Sequence, residues 1–164
     1  MKKITLIILA FIVCVSASAK NKKATGKQAH PGKIESVQIF RTGCFGKCPT
    51  YSVEINRNGI VTYIAVRFCA DSGTFNKNIG KDKAMAIINR ADSVRIDTCQ
   101  DVYDSRASDL PGLIYTIKYK NKVKNIRNAR WGPTFLPLLA RDIDNAGKKV
   151  DNVGWKKVMP PTKR

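Results

Sequence analysis

The chain predicts an α+β fold: two layers, with an antiparallel β-sheet of element order β-β-β-α-β-β-α covered on one face by two helices. Three observations predict it. Alternating apolar runs flank the turn dipeptide Asn58-Gly59, a second pair of such runs flanks Lys120-Asn121, and two amphipathic stretches follow the hairpins, over residues 82–94 and 134–147. Hairpins in succession favour antiparallel pairing, and a sheet with one apolar face needs a cover, which two amphipathic helices can supply.

Residues 34–41 predict the first strand. Val37 and Ile39 share a face with Glu35 and Arg41, and Ile34 and Phe40 lie on the other, as in a strand covered in part on both sides. The run 44–55, CFGKCPTYSVEI, is the most distinctive stretch. Two cysteines four residues apart and a proline lead into Tyr51, Val53 and Ile55 alternating with Ser52 and Glu54. Asn-Gly then tolerates the positive φ of a tight turn, and the β-branched and aromatic residues of 60–66 return as its partner strand. After Cys69 the composition turns to Asp, Ser, Gly, Asn and Lys, which reads as a connecting loop.

Within 82–94, Ala84, Ile87, Ile88, Ala91 and Val94 form one apolar stripe at helical spacing. The acidic stretch 95–111 lacks the spacing and closing glutamate of a calcium loop. Leu113, Tyr115, Ile117 and Tyr119 share a face of the first strand of the second hairpin, 113–119, which returns over 122–128. Thr134 predicts an N-cap with Pro137 tolerated in the first turn, and Phe135, Leu138, Leu139, Ile143 and Ala146 predict the buried side of the last helix, ended by Gly147. The domain organisation is thus a signal peptide over 1–19, a flexible basic leader over 20–33, one domain over 34–147, and a basic tail over 148–164, partly docked at most through Val153 and Trp155.

The compartment follows from the first residues. Lys2 and Lys3 precede an apolar run of a dozen residues and the small-x-small pattern Ala17-Ser18-Ala19, as in a cleavable export signal. The run is shorter than the roughly 20 residues of a spanning helix, and no other long apolar run follows, so the expectation is an exported periplasmic or extracellular protein without a transmembrane span. Cys14 is preceded by Phe11, Ile12 and Val13, where a lipoprotein signal wants small residues, so lipid anchoring is disfavoured. The formal net charge is +18, which favours an anionic envelope component or an acidic protein as partner; nucleic acid is disfavoured by the compartment.

Four cysteines remain after the signal: Cys44, Cys48, Cys69 and Cys99. An even number in an exported chain favours disulfides, and four allow three pairings. Proximity favours Cys44–Cys48 with Cys69–Cys99, which in the chain-entropy description contribute about 2 and about 3.5 kcal/mol.

The stretch Arg41-Thr42-Gly43-Cys44-Phe45-Gly46-Lys47-Cys48-Pro49-Thr50-Tyr51 resembles the RTxCFGxCPxY signature of a domain family of unknown function found in exported, Bacteroidota-type bacterial proteins. The resemblance runs on through the Asn-Gly hairpin, Val61-Thr62-Tyr63, Asp101-Val102-Tyr103 and Ser108-Asp109-Leu110-Pro111, and covers residues 34–155. The chain departs from the family at Gly43, where proline stands, and at Cys99, where an apolar residue stands; Cys69 is not part of the pattern either. The resemblance implies the fold and export, and no activity or cofactor.

Three functions follow from the residues. The first is a non-catalytic exported binding or envelope-associated module stabilised by disulfides. A placed histidine is the commonest catalytic base, and the single histidine, His30, lies in the leader. The second is a thiol-redox or Cu(I)-handling protein using Cys44 and Cys48, against which stands a motif lying between strands rather than opening a helix that lowers a thiol pKa. The third is an anionic glycan, lipopolysaccharide or nucleic-acid binder using Lys118, Lys120, Lys122, Lys124, Arg127 and Arg130, flanked by Tyr115 and Tyr119. No metal site is predicted apart from the Cys44–Cys48 alternative.

Overall fold

The computed structural model describes residues 31–103, 110–127, 129–148 and 153–158. The signal segment with Cys14, the leader up to His30 and the end of the tail lie outside the described residues.

Seven strands form one sheet: β1 (Ile34–Arg41), β2 (Thr50–Asn56), β3 (Ile60–Arg67), β4 (Gly73–Asn78), β5 (Leu113–Tyr119), β6 (Lys122–Ile126) and β7 (Lys156–Val158). Their spatial order is β6-β5-β1-β2-β3-β4-β7, and every neighbouring pair is antiparallel. Among the described residues two α-helices, α1 (Lys81–Ser93) and α2 (Phe135–Gly147), join the sheet in an α+β fold with an open antiparallel sheet.

One face of the sheet meets the helices. Val37 and Ile39 of β1, Val53 and Ile55 of β2, Val61 of β3, and Leu113, Tyr115 and Ile117 of β5 are buried in one cluster. Ala84, Ile88 and Ala91 of α1 and Leu136, Leu139, Ala140 and Ile143 of α2 belong to the same cluster. Alternation makes this possible, since the register sets Ile39 opposite both Val53 and Tyr115, and Val37 opposite Ile55 and Ile117. The Tyr115 hydroxyl donates to the Leu136 carbonyl, pinning the start of α2, and Arg90 of α1 pairs with Asp142 of α2. The opposite face, with Gln38, Phe40, Glu54, Thr62 and Ile64, carries no helix among the described residues.

The Asn-Gly hairpin forms where the sequence places it. Gly59 has φ 88°, and a Cβ there would stand 2.6 Å from the Gly80 carbonyl carbon, so only glycine fits both the turn and the chain packed over it.

The structure also departs from the expected elements. The connection after Cys69 contains β4, whose sequence GTFNKN has one apolar centre, Phe75; its strand state is imposed by pairing with β3. Part of the tail likewise pairs as β7 on the outer edge of β4. In α2 the helix starts after Thr134, but the threonine side chain makes no cap hydrogen bond. Leu138, expected inside, is 50% exposed, and Leu136 takes its place in the core.

Candidate functional site

The signature stretch converges on one carboxylate. Arg41 ends β1 and Tyr51 is the second residue of β2, and the two stand directly opposite each other across the ladder. Both point to the helix-covered face. There Arg41 Nη2 donates to Asp144 Oδ2 at 2.6 Å, and the Tyr51 hydroxyl donates to Asp144 Oδ1 at 2.9 Å. Asp144 lies on α2, 103 residues beyond Arg41, one turn before Gly147. Gly147 lets the helix approach β2, because a Cβ there would stand 2.6 Å from a Val53 methyl.

The loop joining Arg41 to Tyr51 is closed by the Cys44–Cys48 disulfide, with Cα atoms 5.6 Å apart. Gly46 sits at its tip with φ 145°, a region open to glycine, and its N–H donates to the Cys44 carbonyl. At the loop's start, Thr42 and Gly112 exchange hydrogen bonds, which ties the loop to the segment before β5. The bridge thus holds the ends of β1 and β2 in the register that sets Arg41 and Tyr51 side by side.

Aromatic rings extend the cluster sideways. Tyr51 and Tyr63 have centroids 5.5 Å apart, and Tyr63 also packs against Phe75 and Trp155. A hollow of about 300 Å³ opens here, lined by Tyr51, Tyr63, Asp144, Gly147 and Lys148. Burial, then the Asp144 charge beside it, pushes the Tyr51 phenol up to about 12. Burial also raises the Tyr63 phenol, with Cys69 adding to the effect. These phenols are donors at neutral pH, and the carboxylate they surround already holds a guanidinium and a hydroxyl. The arrangement therefore presents aromatic surface rather than a free acid–base pair.

The remaining cysteines correct the expected second bridge: Cys69 and Cys99 are free thiols. Cys69 Sγ lies 3.3 Å from the Thr50 carbonyl at the start of β2, whereas the Cys99 carbonyl accepts from Lys124 of β6. Three strand spacings separate β2 from β6, about 14 Å at roughly 4.8 Å each, and a disulfide needs Cα atoms within about 7 Å. Burial raises the Cys99 thiol, which keeps it protonated and weakly nucleophilic.

The basic hairpin is divided between the two faces. Lys118 stands on the open face and bonds Glu54 at 2.8 Å, Lys120 is exposed at the turn, and Lys122 and Lys124 point to the helix side. Lys124 is engaged by Asp101 as well as the Cys99 carbonyl, and it holds the Asp101 carboxyl below its usual range. Arg127 pairs through its backbone with Asp101 and Tyr103, and Arg130 is exposed in a 3₁₀ turn (Ala129–Trp131). Tyr115 and Tyr119 are buried core rather than a stacking platform. A hollow of about 450 Å³ between Asp97, Asp101, Lys122, Lys124 and Arg127 mixes both charges.

In the sequence Arg41 and Tyr51 belong to the signature stretch, and nothing local joins them to Asp144. The available signal was a charged and a phenolic residue bracketing the cysteine loop at inward-facing strand positions. Among the described residues no group of three or more His, Cys, Asp or Glu could hold a metal, and no helix is long and apolar enough to cross a membrane. No curated protein matches the chain. Residues 35–147 match a family described as Domain of unknown function (DUF6438), which spans β1 through α2 and takes in the disulfide, Arg41, Tyr51 and Asp144; the chain belongs to that family.

Proposed function

We propose that the protein is a non-catalytic, exported, envelope-associated binding module in which the Cys44–Cys48 bridge is a structural staple. One observation carries the reading: Arg41 and Tyr51, the polar side chains flanking the bridge, are both committed to Asp144 of α2. The bridge, the β1–β2 register and the docking of α2 then form one stabilising unit, and the stretch with the most chemical character is occupied in holding the fold. The export signal and the disulfide together support an oxidising compartment. The +18 charge supports an anionic or acidic partner there.

The test pairs an activity assay with a redox titration. Purified protein incubated with envelope glycans and peptides is expected to leave them unchanged. Turnover lost on a single carboxylate substitution, Asp144→Asn or Glu54→Gln, in a variant still folded by circular dichroism, overturns the reading. The Cys44–Cys48 bond is expected to survive mild reductant and to bind no Cu(I) once reduced. Facile exchange or stoichiometric Cu(I) uptake would favour the redox alternative instead.

A further inference from the structure

The end of the sheet that carries the disulfide loop also carries the most exposed aromatic of the described chain. Phe45 is 95% exposed at the tip of the closed loop, between two cysteines that fix it there. A free aromatic on a flexible loop folds back onto apolar surface; a four-residue bridge prevents that. The neighbouring β3–β4 connection repeats the arrangement. Phe68 stands 44% exposed at φ 54°, a left-handed conformation that a bulky residue adopts at a cost, and Arg67 lies over its ring at 4.6 Å.

The two tips belong to one surface. Thr50, two residues past Cys48, pairs with Arg67, and Cys69 closes back on the Thr50 carbonyl. Val66, 58% exposed, and Leu110, 45% exposed before β5, stand at the same end of the sheet. Lys47 and Arg67 are exposed among these apolar residues. Separate apolar tips interleaved with cations do not make the flat, continuous core of a protein interface. They match an interface of acyl chains beneath anionic headgroups, where aromatic rings sit at headgroup depth and cations pair with phosphates.

We infer that Phe45 and Phe68 insert into an anionic lipid bilayer surface, with Lys47 and Arg67 against its phosphates. This names the partner of the envelope-associated module and rests on the proposed export only for the compartment, since lipid binding is measured independently of catalysis and redox chemistry.

The experiment uses the chain from Lys20 onward, the form that signal cleavage leaves, with vesicles of phosphatidylcholine containing or lacking phosphatidylglycerol. Co-sedimentation is expected with the anionic vesicles and to weaken with salt. Phe45→Ser is expected to reduce it about tenfold, the order for losing a buried aromatic side chain. Because Phe45 packs on nothing, that variant should keep its disulfide mass and urea midpoint. In Phe45→Trp, the emission added over Trp131 and Trp155 should be quenched by lipids brominated near the headgroup. Absence of binding to anionic vesicles, equal binding of wild type and Phe45→Ser, or equal binding to neutral vesicles overturns the inference. The first of these outcomes would point to a protein as the occupant. Failure here leaves the non-catalytic reading standing, since that reading falls on turnover or thiol exchange.

Discussion

Replacing Asp144 with asparagine tests whether the disulfide stretch and α2 form one unit. The change keeps the side chain's shape and removes its charge. It leaves Arg41 without a counter-ion and sets an amide where two donors converge. Breaking a fully buried pair costs about 3–5 kcal/mol, and exposed pairs are worth about 0–1. Arg41 and Asp144 side chains are 25% and 18% exposed, so water can reach part of the stranded guanidinium. The expected loss is therefore about 2–3 kcal/mol, or about 10 °C in Tm for a domain of this size. Urea unfolding followed by circular dichroism should show a lower midpoint with an unchanged slope. A double-mutant cycle with Arg41→Gln should return a coupling of about 1–2 kcal/mol. A change within about 0.5 kcal/mol of wild type, or strictly additive effects, would refute the argument and make the cluster incidental.

Three further outcomes follow from the same geometry. Cys44→Ser with Cys48→Ser should cost about 2 kcal/mol in urea unfolding, the closure entropy of so short a loop, while the fold persists. Gly147→Ala should destabilise by about 1–3 kcal/mol through the clash with Val53, and a Val53→Ala second change should restore part of it; a neutral single variant would contradict the close approach of α2. The phenols of Tyr51 and Tyr119 are pushed up to about 12 in the folded protein, against about 10 unfolded. Between those values the unfolded chain releases protons the folded chain keeps, so their contribution is complete below about pH 10 and lost as pH rises toward 12. Phenolate absorbance should accordingly appear in step with alkaline unfolding, and a full set of tyrosines titrating near 10 in folded protein would contradict it.

The elements that could be read directly were those whose burial is written in their own periodicity. β1, β2, β3 and β5 carry alternating apolar residues, and α1 carries its stripe at helical spacing, because each buries one face against a single layer. β4 and β7 were not legible for the converse reason: β7 is the sheet edge and β4 the strand beside it, both take their state from a neighbour's unpaired backbone, and polar residues such as Thr74, Asn76 and Lys156 serve there as well as any. Leu138 misled because a helix with leucines at 136, 138 and 139 offers two adjacent stripes, and only the sheet beneath selects one.

By itself the sequence determined the α+β class, the hairpins and the order of the main elements, since periodicity and turn chemistry decide each of these; among the three pairings that four cysteines allow, proximity only favoured Cys44–Cys48, and the structure selects it. Tertiary structure alone decided what those elements bring together. Cys69 and Cys99 are kept on opposite sides of the central strands, and the lysines of one hairpin are divided between two faces by the alternation of a strand. Arg41 meets an aspartate 103 residues away because α2 docks across β1 and β2, and no local pattern encodes a contact whose partners share only a helix's resting place on a sheet.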